Sequence, residues 1–118
     1  MQISERKVGP VTVIDLAGRM TTADNPGRLK EKVTSLVFQG EKQIVLNLAN
    51  LSYCDSSGLG ELVACHGTAV RGGGSVKLAN TGKRMQDLLV MTKLLTVFDS
   101  YDSEEAAIAS FSGSGASA

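Results

Sequence analysis

Near the middle of the chain, residues 43–48 form a nearly continuous apolar run that includes Ile44-Val45-Leu46-Asn47-Leu48. A strand of this kind is typical of a parallel sheet that is covered by helices on both faces. Helical patterns of apolar residues stand before and after the run. Strands that alternate with helices of this length imply right-handed crossovers. The sequence therefore predicts an α/β fold: a mixed, mostly parallel β-sheet of four to five strands with helices packed against it.

The remaining strands follow from alternation and from turn residues. Residues 2–7 and 11–16 predict two strands joined by the Gly9-Pro10 turn, which gives the sheet an antiparallel edge strand. Residues 75–79 and 96–98 predict two further short strands. In open sheets of this class the functional crevice lies beyond the carboxyl ends of the strands. We therefore expect the functional residues to lie at those ends.

Helices are predicted from apolar residues that recur with helical spacing. The first helix begins at Asn25-Pro26 and ends near Gly40, and the last runs from Ser103 to about Phe111. Three helices before the last are each predicted to bury one apolar face. The inner face of the first consists of Leu29, Val33, Leu36 and Val37. That of the second consists of Leu59, Leu62, Val63, His66 and Val70, and that of the third of Met85, Leu88 and Leu89.

Length and composition favour one soluble domain. The 118 residues include twelve basic and twelve acidic side chains, so no net field favours nucleic acid or an anionic membrane. No apolar run approaches the roughly 20 residues of a membrane span, and the first residues lack a secretory signal. Two cysteines indicate reduced thiols. We expect a cytoplasmic domain at residues 1–111 and a flexible tail at 112–118, which is rich in Ser, Gly and Ala.

The segment Asp55-Ser56-Ser57-Gly58-Leu59-Gly60 is the main functional candidate, because it lies between the apolar strand and an amphipathic helix. Such a turn presents side chains on a rigid scaffold. The start of the helix adds unpaired N–H groups and a positive dipole end. A serine here has four available roles: helix cap, nucleophile, phosphate ligand or phosphorylation site.

Catalytic and metal-binding roles find little support in the sequence. A nucleophile elbow requires Gly-x-Ser-x-Gly, whereas Asp55 precedes the serine pair and glycine only follows it. His66 is the single histidine, and ten helical residues place it about 15 Å from Ser56 along the axis. Cys54, Cys65 and His66 lack the paired short spacings of a zinc site. We expect neither a serine hydrolase nor a metal site.

Nucleotide and nucleic-acid motifs are incomplete. Residues 58–63 match two glycines of the dinucleotide fingerprint, but Val63 stands where the third small residue belongs. Gly82-Lys83-Arg84 resembles the end of a phosphate loop whose leading glycine is replaced by Lys77. Five aromatic residues and no dense basic cluster argue against nucleic-acid binding. Helix capping by Ser56 or Ser57 and phosphorylation therefore remain open, and both can hold at once.

The stretch Leu46-Asn47-Leu48-Ala49-Asn50-Leu51-Ser52-Tyr53-Cys54-Asp55-Ser56-Ser57-Gly58-Leu59-Gly60 resembles the signature of STAS domains in bacterial anti-sigma factor antagonists. The similarity extends from residue 11 to Phe98. It implies the STAS fold and a non-enzymatic protein without a cofactor. Family members bind an anti-sigma factor, often a serine kinase of the histidine-kinase-like ATPase type, and so release sigma factor. The kinase switches the antagonist off by phosphorylation, and a PP2C-type phosphatase restores it.

By position, the resemblance makes Ser56 the phosphorylated serine. It implies a monomer or weak dimer that neither binds nucleic acid nor inserts into membranes. It also implies a partner-binding surface, which consists of Thr21, Asp24, Asp55, Ser56, Ser57, Gly58, Leu59 and Gly60. Thr21 departs from the family, which commonly has an acidic residue there. The alternative is a STAS scaffold or accessory subunit of a transport or signalling complex that is not phosphorylated. Nucleotide or small-ligand binding around Ser56 is a third possibility.

Overall fold

A computed structural model describes residues 2–21, 28–94 and 96–117. Within these ranges the order of elements along the chain is β1 (Gln2–Val8), β2 (Val11–Met20), α1 (Arg28–Phe38), β3 (Gln43–Cys54), α2 (Ser56–Arg71), β4 (Ser75–Ala79), α3 (Gly82–Met91), β5 (Asp99–Tyr101) and α4 (Glu104–Ser117). The predicted start of the first helix at Asn25-Pro26 lies outside the described residues.

The strands form a single five-stranded sheet in the order β1-β2-β3-β4-β5. β1 pairs with β2 in antiparallel register, and the other three pairs are parallel. The predicted α/β class, with a mixed sheet and an antiparallel edge, is confirmed. Each parallel crossover contains one helix, so the carboxyl ends of β2, β3 and β4 lie along one edge of the sheet.

β2 and β3 are longer than predicted, because the two strands continue to pair with each other beyond the apolar residues. Beyond the apolar run, Ala17 pairs with Asn50 and Met20 with Cys54, after two register shifts along β2. The added part of β3 is mostly half-buried or exposed. Its hydrogen bonds to β2 maintain the strand where hydrophobic periodicity has ended.

Side chains on the two faces of the sheet form separate clusters. The larger lies between the sheet and helices α1, α2 and α3, and it includes Ile14, Leu46 and Leu62, which are fully buried. The smaller lies under α4 and is centred on Val13 and Val45. The molecule therefore has three layers: three helices, the sheet, and one helix.

The inner face of α2 differs from the prediction. Cys65 and Ala69 are fully buried, whereas Val70, predicted to face inward, is 53% exposed. The buried positions in the second half of α2 carry the small residues Cys65 and Ala69, and the packing is close at its end: a Cβ on Gly72, just after α2, would lie 2.2 Å from Val37 Cγ1. Apolar spacing takes no account of residue size, so it does not predict which side chains of α2 are buried.

Two predictions near the C-terminus also need correction. The predicted strand at residues 96–98 is wrong: the N–H groups of Val97 and Phe98 donate to Leu94 O in a turn, and the strand follows at Asp99–Tyr101. Phe98 is instead buried in the larger cluster. Helix α4 continues past the predicted end near Phe111 to Ser117. The flexibility assigned to residues 112–118 stays a prediction.

Candidate functional site

The serine turn lies at the carboxyl edge of the sheet, where a single residue links β3 to α2. β3 ends at Cys54, α2 begins at Ser56, and Asp55 lies between them. The N–H of Asp55 donates to Met20 O at 3.4 Å, which joins the turn to the end of the neighbouring strand β2. The backbone around Ser56 is therefore held by two adjacent strands.

Asp55 is the N-cap of α2. Its backbone is extended (φ −99°, ψ −174°), and its Oδ1 accepts a hydrogen bond of 2.9 Å from Gly58 N. The prediction that Ser56 or Ser57 caps the helix is wrong, because the preceding carboxylate already satisfies that N–H. A cap of this kind contributes about 0.5–2 kcal/mol. Both serine side chains are exposed in the first turn and carry no capping duty.

Gly58 and Leu59 anchor the first turn of α2 to the protein. Leu59 is 3% exposed and belongs to the larger cluster. A Cβ on Gly58 would lie 2.2 Å from Met20 O and 2.9 Å from Met20 Cγ. Only glycine allows the helix to approach the end of β2 so closely, so Gly58 and Leu59 face inward while Ser56, Ser57 and Gly60 face outward.

The two predicted partner residues on the neighbouring loop have different outcomes. Thr21 directly follows β2 and is buried, with 6% of its surface exposed. Asp24 lies outside the described residues. Since Met20 pairs with Cys54, Thr21 lies close to the serine turn at the carboxyl edge of the sheet. Its burial leaves little of the side chain for a partner to contact.

Glu61 was not predicted as a functional residue, yet it links α2 to α1. Its Oε2 accepts hydrogen bonds from Leu29 N at 2.7 Å and from Lys30 N at 3.0 Å. These N–H groups belong to the first turn of α1, which lacks intrahelical partners for them. A carboxylate from α2 thus caps α1, and no local sequence signal reveals a cap that comes from about thirty residues away.

A small cavity of about 230 Å³ lies between the end of β3 and the start of α3. Ser52, Tyr53 and Cys54 line one side, and Lys83 and Arg84 line the other. Ligand pockets usually enclose about 300–1,000 Å³. The cavity therefore gives little support to nucleotide or small-ligand binding beside Ser56.

The family model of the STAS domain matches residues 2–107. This chain belongs to the STAS domain family. The anti-sigma-B factor antagonist of Bacillus subtilis (strain 168) is 34% identical over 86 residues, which cover 73% of this chain and 77% of that protein. The anti-sigma factor antagonists of the STAS family are therefore its relatives, as the resemblance of the serine turn indicated.

Two solved structures share the fold of this STAS domain. The anti-sigma factor antagonist SpoIIAA in its unphosphorylated form matches with a TM-score of 0.70 and 24% identity, covering 95% of this chain and 99% of that one. The Bacillus cell fate determinant SpoIIAA in its phosphorylated form matches with a TM-score of 0.71 and 24% identity, covering 93% and 99%. The fold agrees equally well with both forms of that protein.

The two cysteines of the STAS domain are free thiols whose pKa values are raised. Burial, followed by the charge of Asp55, raises the pKa of Cys54 to about 11, and burial raises the pKa of Cys65 to about 12. Both free thiols therefore stay protonated at neutral pH. The ring of His66 packs edge-on against Phe98 at 5.4 Å, two to three turns from Ser56 along α2. Among the described residues, no group of three His, Cys, Asp or Glu side chains could hold a metal ion.

No helix in the described part of the chain is long and apolar enough to cross a membrane.

Proposed function

We propose that this STAS domain is an anti-sigma factor antagonist that binds an anti-sigma factor with serine kinase activity and so releases a sigma factor. Phosphorylation of Ser56 by that kinase switches the antagonist off, and a PP2C-type phosphatase restores it. The proposal is carried by one observation: Ser56 is exposed at the first position of α2, while Asp55 supplies the cap. The protein acts in the cytoplasm and is not itself an enzyme.

A phosphate on Ser56 is compatible with the fold. It adds about −1.5 to −2 charge at pH 7. At the N-terminus of α2 the helix dipole favours such a charge by about 0.3–1 kcal/mol, and the neighbouring Asp55 offsets part of this gain. Unfolding is therefore a poor explanation of the switch. Against a partner surface of like charge the same group costs several kcal/mol, and about 2.7 kcal/mol already lowers affinity 100-fold.

The helix also favours Ser56 over Ser57 as the phosphorylated residue. Residues four apart are neighbours on a helix surface, so Ser57 is next to Glu61 and Ser56 is next to Gly60. A phosphate on Ser57 would meet a carboxylate that already caps α1. A phosphate on Ser56 would meet no side chain at that position.

Pull-down from lysate of the native organism tests the proposal. The baits are wild type, Ser56→Ala, Ser56→Asp and the matched control Ser57→Ala. We expect wild type, Ser56→Ala and Ser57→Ala to recover a histidine-kinase-like ATPase, Ser56→Asp to lose it, and mass spectrometry to find phosphate on Ser56. If Ser56 is never modified and every bait recovers the same partners, the switch does not operate.

The phosphorylated protein provides a second test, because Asp imitates phosphoserine imperfectly. Its circular dichroism and melting temperature should stay close to those of the unmodified protein. Loss of the fold on phosphorylation would contradict a switch that acts on the binding surface.

A scaffold in a transport or signalling complex is the second candidate function, favoured by Thr21. Its buried hydroxyl cannot supply the carboxylate that family members commonly carry at this place. If transport proteins are recovered in place of the kinase, with the same yield from wild type and Ser56→Asp, the scaffold becomes the better interpretation.

A further inference from the structure

β1 is an edge strand of the sheet, and its outer edge is exposed. It comes first in the strand order and pairs with β2 alone. Six of its seven residues are exposed, and Ile3 is half-buried. In the described part of the chain, no hydrogen bond of a turn, loop or cap involves the backbone of β1. Such an edge offers unpaired N–H and C=O groups to another strand.

The turn between β1 and β2 determines which backbone groups point away from the sheet. Val8 and Val11 flank a two-residue turn and lie opposite each other. The residues that flank such a turn form a hydrogen-bonded pair, and pairs of this kind alternate with non-hydrogen-bonded pairs along an antiparallel ladder. The N–H and C=O groups of Ile3, Glu5 and Lys7 therefore point outward.

The side chains of these three residues share the face of the sheet that α1 covers. Ile3 packs against the larger cluster. Glu5 forms an ion pair with Lys32 of α1, and Lys7 forms one with Glu41. The exposed edge therefore carries one negative and one positive side chain on the same face. Charges on an edge strand often prevent pairing, but opposite charges make this strand complementary to a reversed copy of itself.

A second copy can pair with this edge only in a few registers. Two antiparallel β1 strands related by a two-fold axis keep the same face of both sheets on one side, so opposed residues share a face. The ladder must therefore be centred on a single residue. Centred on Glu5, it places Glu5 opposite the partner's Glu5, and like charges in this position are destabilising. Centred on Arg6, it places Glu5 opposite the partner's Lys7 and Lys7 opposite the partner's Glu5.

The positive charge at the centre of this register is already compensated. Arg6 lies opposite the partner's Arg6, but its side chain is drawn towards two carboxylates of its own subunit. Its Nε lies 2.6 Å from Asp15 Oδ2 on β2, and its Nη2 lies 2.5 Å from Glu104 Oε1 at the start of α4. The two guanidinium groups therefore do not oppose the approach of the two edges.

We propose that two copies of this chain pair through β1 in the antiparallel register centred on Arg6, which joins the two sheets into one sheet of ten strands. Glu5 and Lys7 form ion pairs with the partner's Lys7 and the partner's Glu5, and about four main-chain hydrogen bonds complete the ladder. The chain has no net charge that would oppose self-association. The ladder is short, so the dimer is weak.

This pairing leaves the serine turn free. β2 separates β1 from β3, the strand that leads to Ser56. The two-fold axis reverses the strand direction, so the two serine turns lie at opposite ends of the ten-stranded sheet. Each subunit of the dimer can therefore bind its own partner.

Charge reversal on β1 tests the register. Glu5→Lys places positive charges opposite each other at both ion-pair positions, and Lys7→Glu places negative charges there. Asp87→Lys and Lys83→Glu are matched controls, because they make the same charge changes in an exposed ion pair of α3. All four side chains are at least partly exposed, so the melting temperatures should stay close to that of wild type.

Sedimentation equilibrium of the full chain measures the dimer. We expect wild type to dimerise with a Kd below about 1 mM, and Glu5→Lys and Lys7→Glu each to raise that Kd about tenfold or more. The two controls should stay within about twofold of wild type. An equimolar mixture of Glu5→Lys and Lys7→Glu should dimerise like wild type, because the mixed dimer restores opposite charges at both positions.

Three results would overturn the inference. Wild type that stays monomeric up to about 1 mM excludes the dimer. Equal weakening in the α3 controls would mean that overall charge, and not β1, governs association. A mixture that dimerises no better than its components would show that Glu5 does not face the partner's Lys7.

A strand from a different protein is the other possible occupant of this edge. If wild type stays monomeric and Glu5→Lys loses a protein that wild type recovers from lysate, the edge pairs with that protein and the proposed dimer is wrong. Phosphorylation of Ser56 is measured separately, so the proposed function does not depend on these results.

Discussion

The two faces of the sheet are held by different kinds of contact. Three helices cover one face, where the large cluster is almost entirely apolar and includes Leu62 at 0% exposure. On the other face α4 lies alone over a cluster of small or β-branched side chains such as Val13 and Ala107. The first face positions the helix that carries Ser56. Helix α4 covers the second face, on the opposite side of the sheet from that helix.

Polar contacts take a larger share on the second face. Arg6 Nε lies 2.6 Å from Asp15 Oδ2, and Arg6 Nη2 lies 2.5 Å from Glu104 Oε1 at the start of α4. Asn47 Nδ2 donates to Asp15 Oδ1 at 2.8 Å, and Asn80 Nδ2 donates to Asn47 Oδ1 at 2.7 Å. This network crosses the three strands β1, β2 and β3, extends to Asn80 directly after β4, and reaches α4 at Glu104. Charged and polar side chains thus contribute to the stability of the second face, whereas the first face is stabilised by apolar packing.

Lys77 adds a further polar tie to α4. Only 8% of its surface is exposed. Its Nζ donates to Ser110 Oγ at 2.8 Å and lies 4.5 Å from the ring centroid of Phe111. A cation over an aromatic ring contributes about 0.5–2 kcal/mol. Because the first face depends on apolar packing, we expect mutations there to lower the free energy of unfolding more than mutations on the second face.

Leu62→Ala should have the largest effect. Removing a fully buried leucine from the first face leaves a cavity and lowers the free energy of unfolding by about 2–5 kcal/mol. Val70→Ala, on the exposed side of the same helix, should change it by less than about 0.5 kcal/mol. Urea unfolding of both variants measures the difference. Similar losses would mean that α2 does not pack as described.

Phe111→Ala should have the next largest effect. Phe111 belongs to α4, and its ring is partly buried against the smaller cluster with Lys77 over it, so we expect a loss of about 1–2 kcal/mol from reduced apolar burial and the lost cation–ring contact. Amide hydrogen exchange should accelerate in α4 and stay unchanged in α2. If α2 exchanges faster as well, the two faces are not independent.

Asp55→Ala should cost about 1 kcal/mol, because Gly58 N loses its acceptor. Asp55→Asn retains an acceptor at this position and should restore most of the loss. Ser57→Ala, at a position with no capping role, should stay within about 0.5 kcal/mol of wild type. Thermal unfolding of the three variants measures the local cap separately from the packing of the first face. Equal losses in Asp55→Ala and Ser57→Ala would assign the cap to a serine after all.

Acid should weaken the second face by the smallest amount. Hydrogen bonds from Arg6 and then Asn47 lower the pKa of Asp15 in the folded protein. Its contribution to stability is therefore present above the ordinary Asp value of about 3.9 and is lost as the pH falls through the lowered pKa. Because Arg6 is 45% exposed, we expect less than about 1 kcal/mol.

Comparison of wild type with Asp15→Asn measures that contribution. The difference in unfolding free energy between the two proteins should be constant above the ordinary Asp pKa of about 3.9 and should shrink as the pH falls through the lowered pKa of Asp15. A difference that persists at low pH would show that Asp15 stabilises the second face by something other than its charge.

The parts of this fold that can be predicted from the sequence are those marked by local patterns of residues. The strand at 75–79 and the antiparallel pair at the edge of the sheet follow from short patterns of apolar residues and turns. The serine turn was placed correctly because a strand signal changes to a helix signal within a few residues. The family resemblance added the role of Ser56, which stays a prediction.

The errors arose where distant contacts decide the outcome. β3 continues to Cys54 because β2 offers hydrogen bonds, and Val97 joins a turn although its β-propensity is high. The cap of α1 comes from Glu61 on another helix. The choice of Asp55 over the serines as N-cap depends on the backbone angle at one residue, which residue preference alone does not resolve.

The cap at Asp55 has a consequence for how such proteins diverge. Because a carboxylate outside the serine pair holds the start of α2, the residue at position 56 can be exchanged with little change in thermodynamic stability. A single codon change would then add or remove the proposed switch in a domain that continues to fold. The proposed switch and the fold would then be inherited through adjacent but separate residues, and descendants of one ancestral gene could differ in control while sharing the same structure.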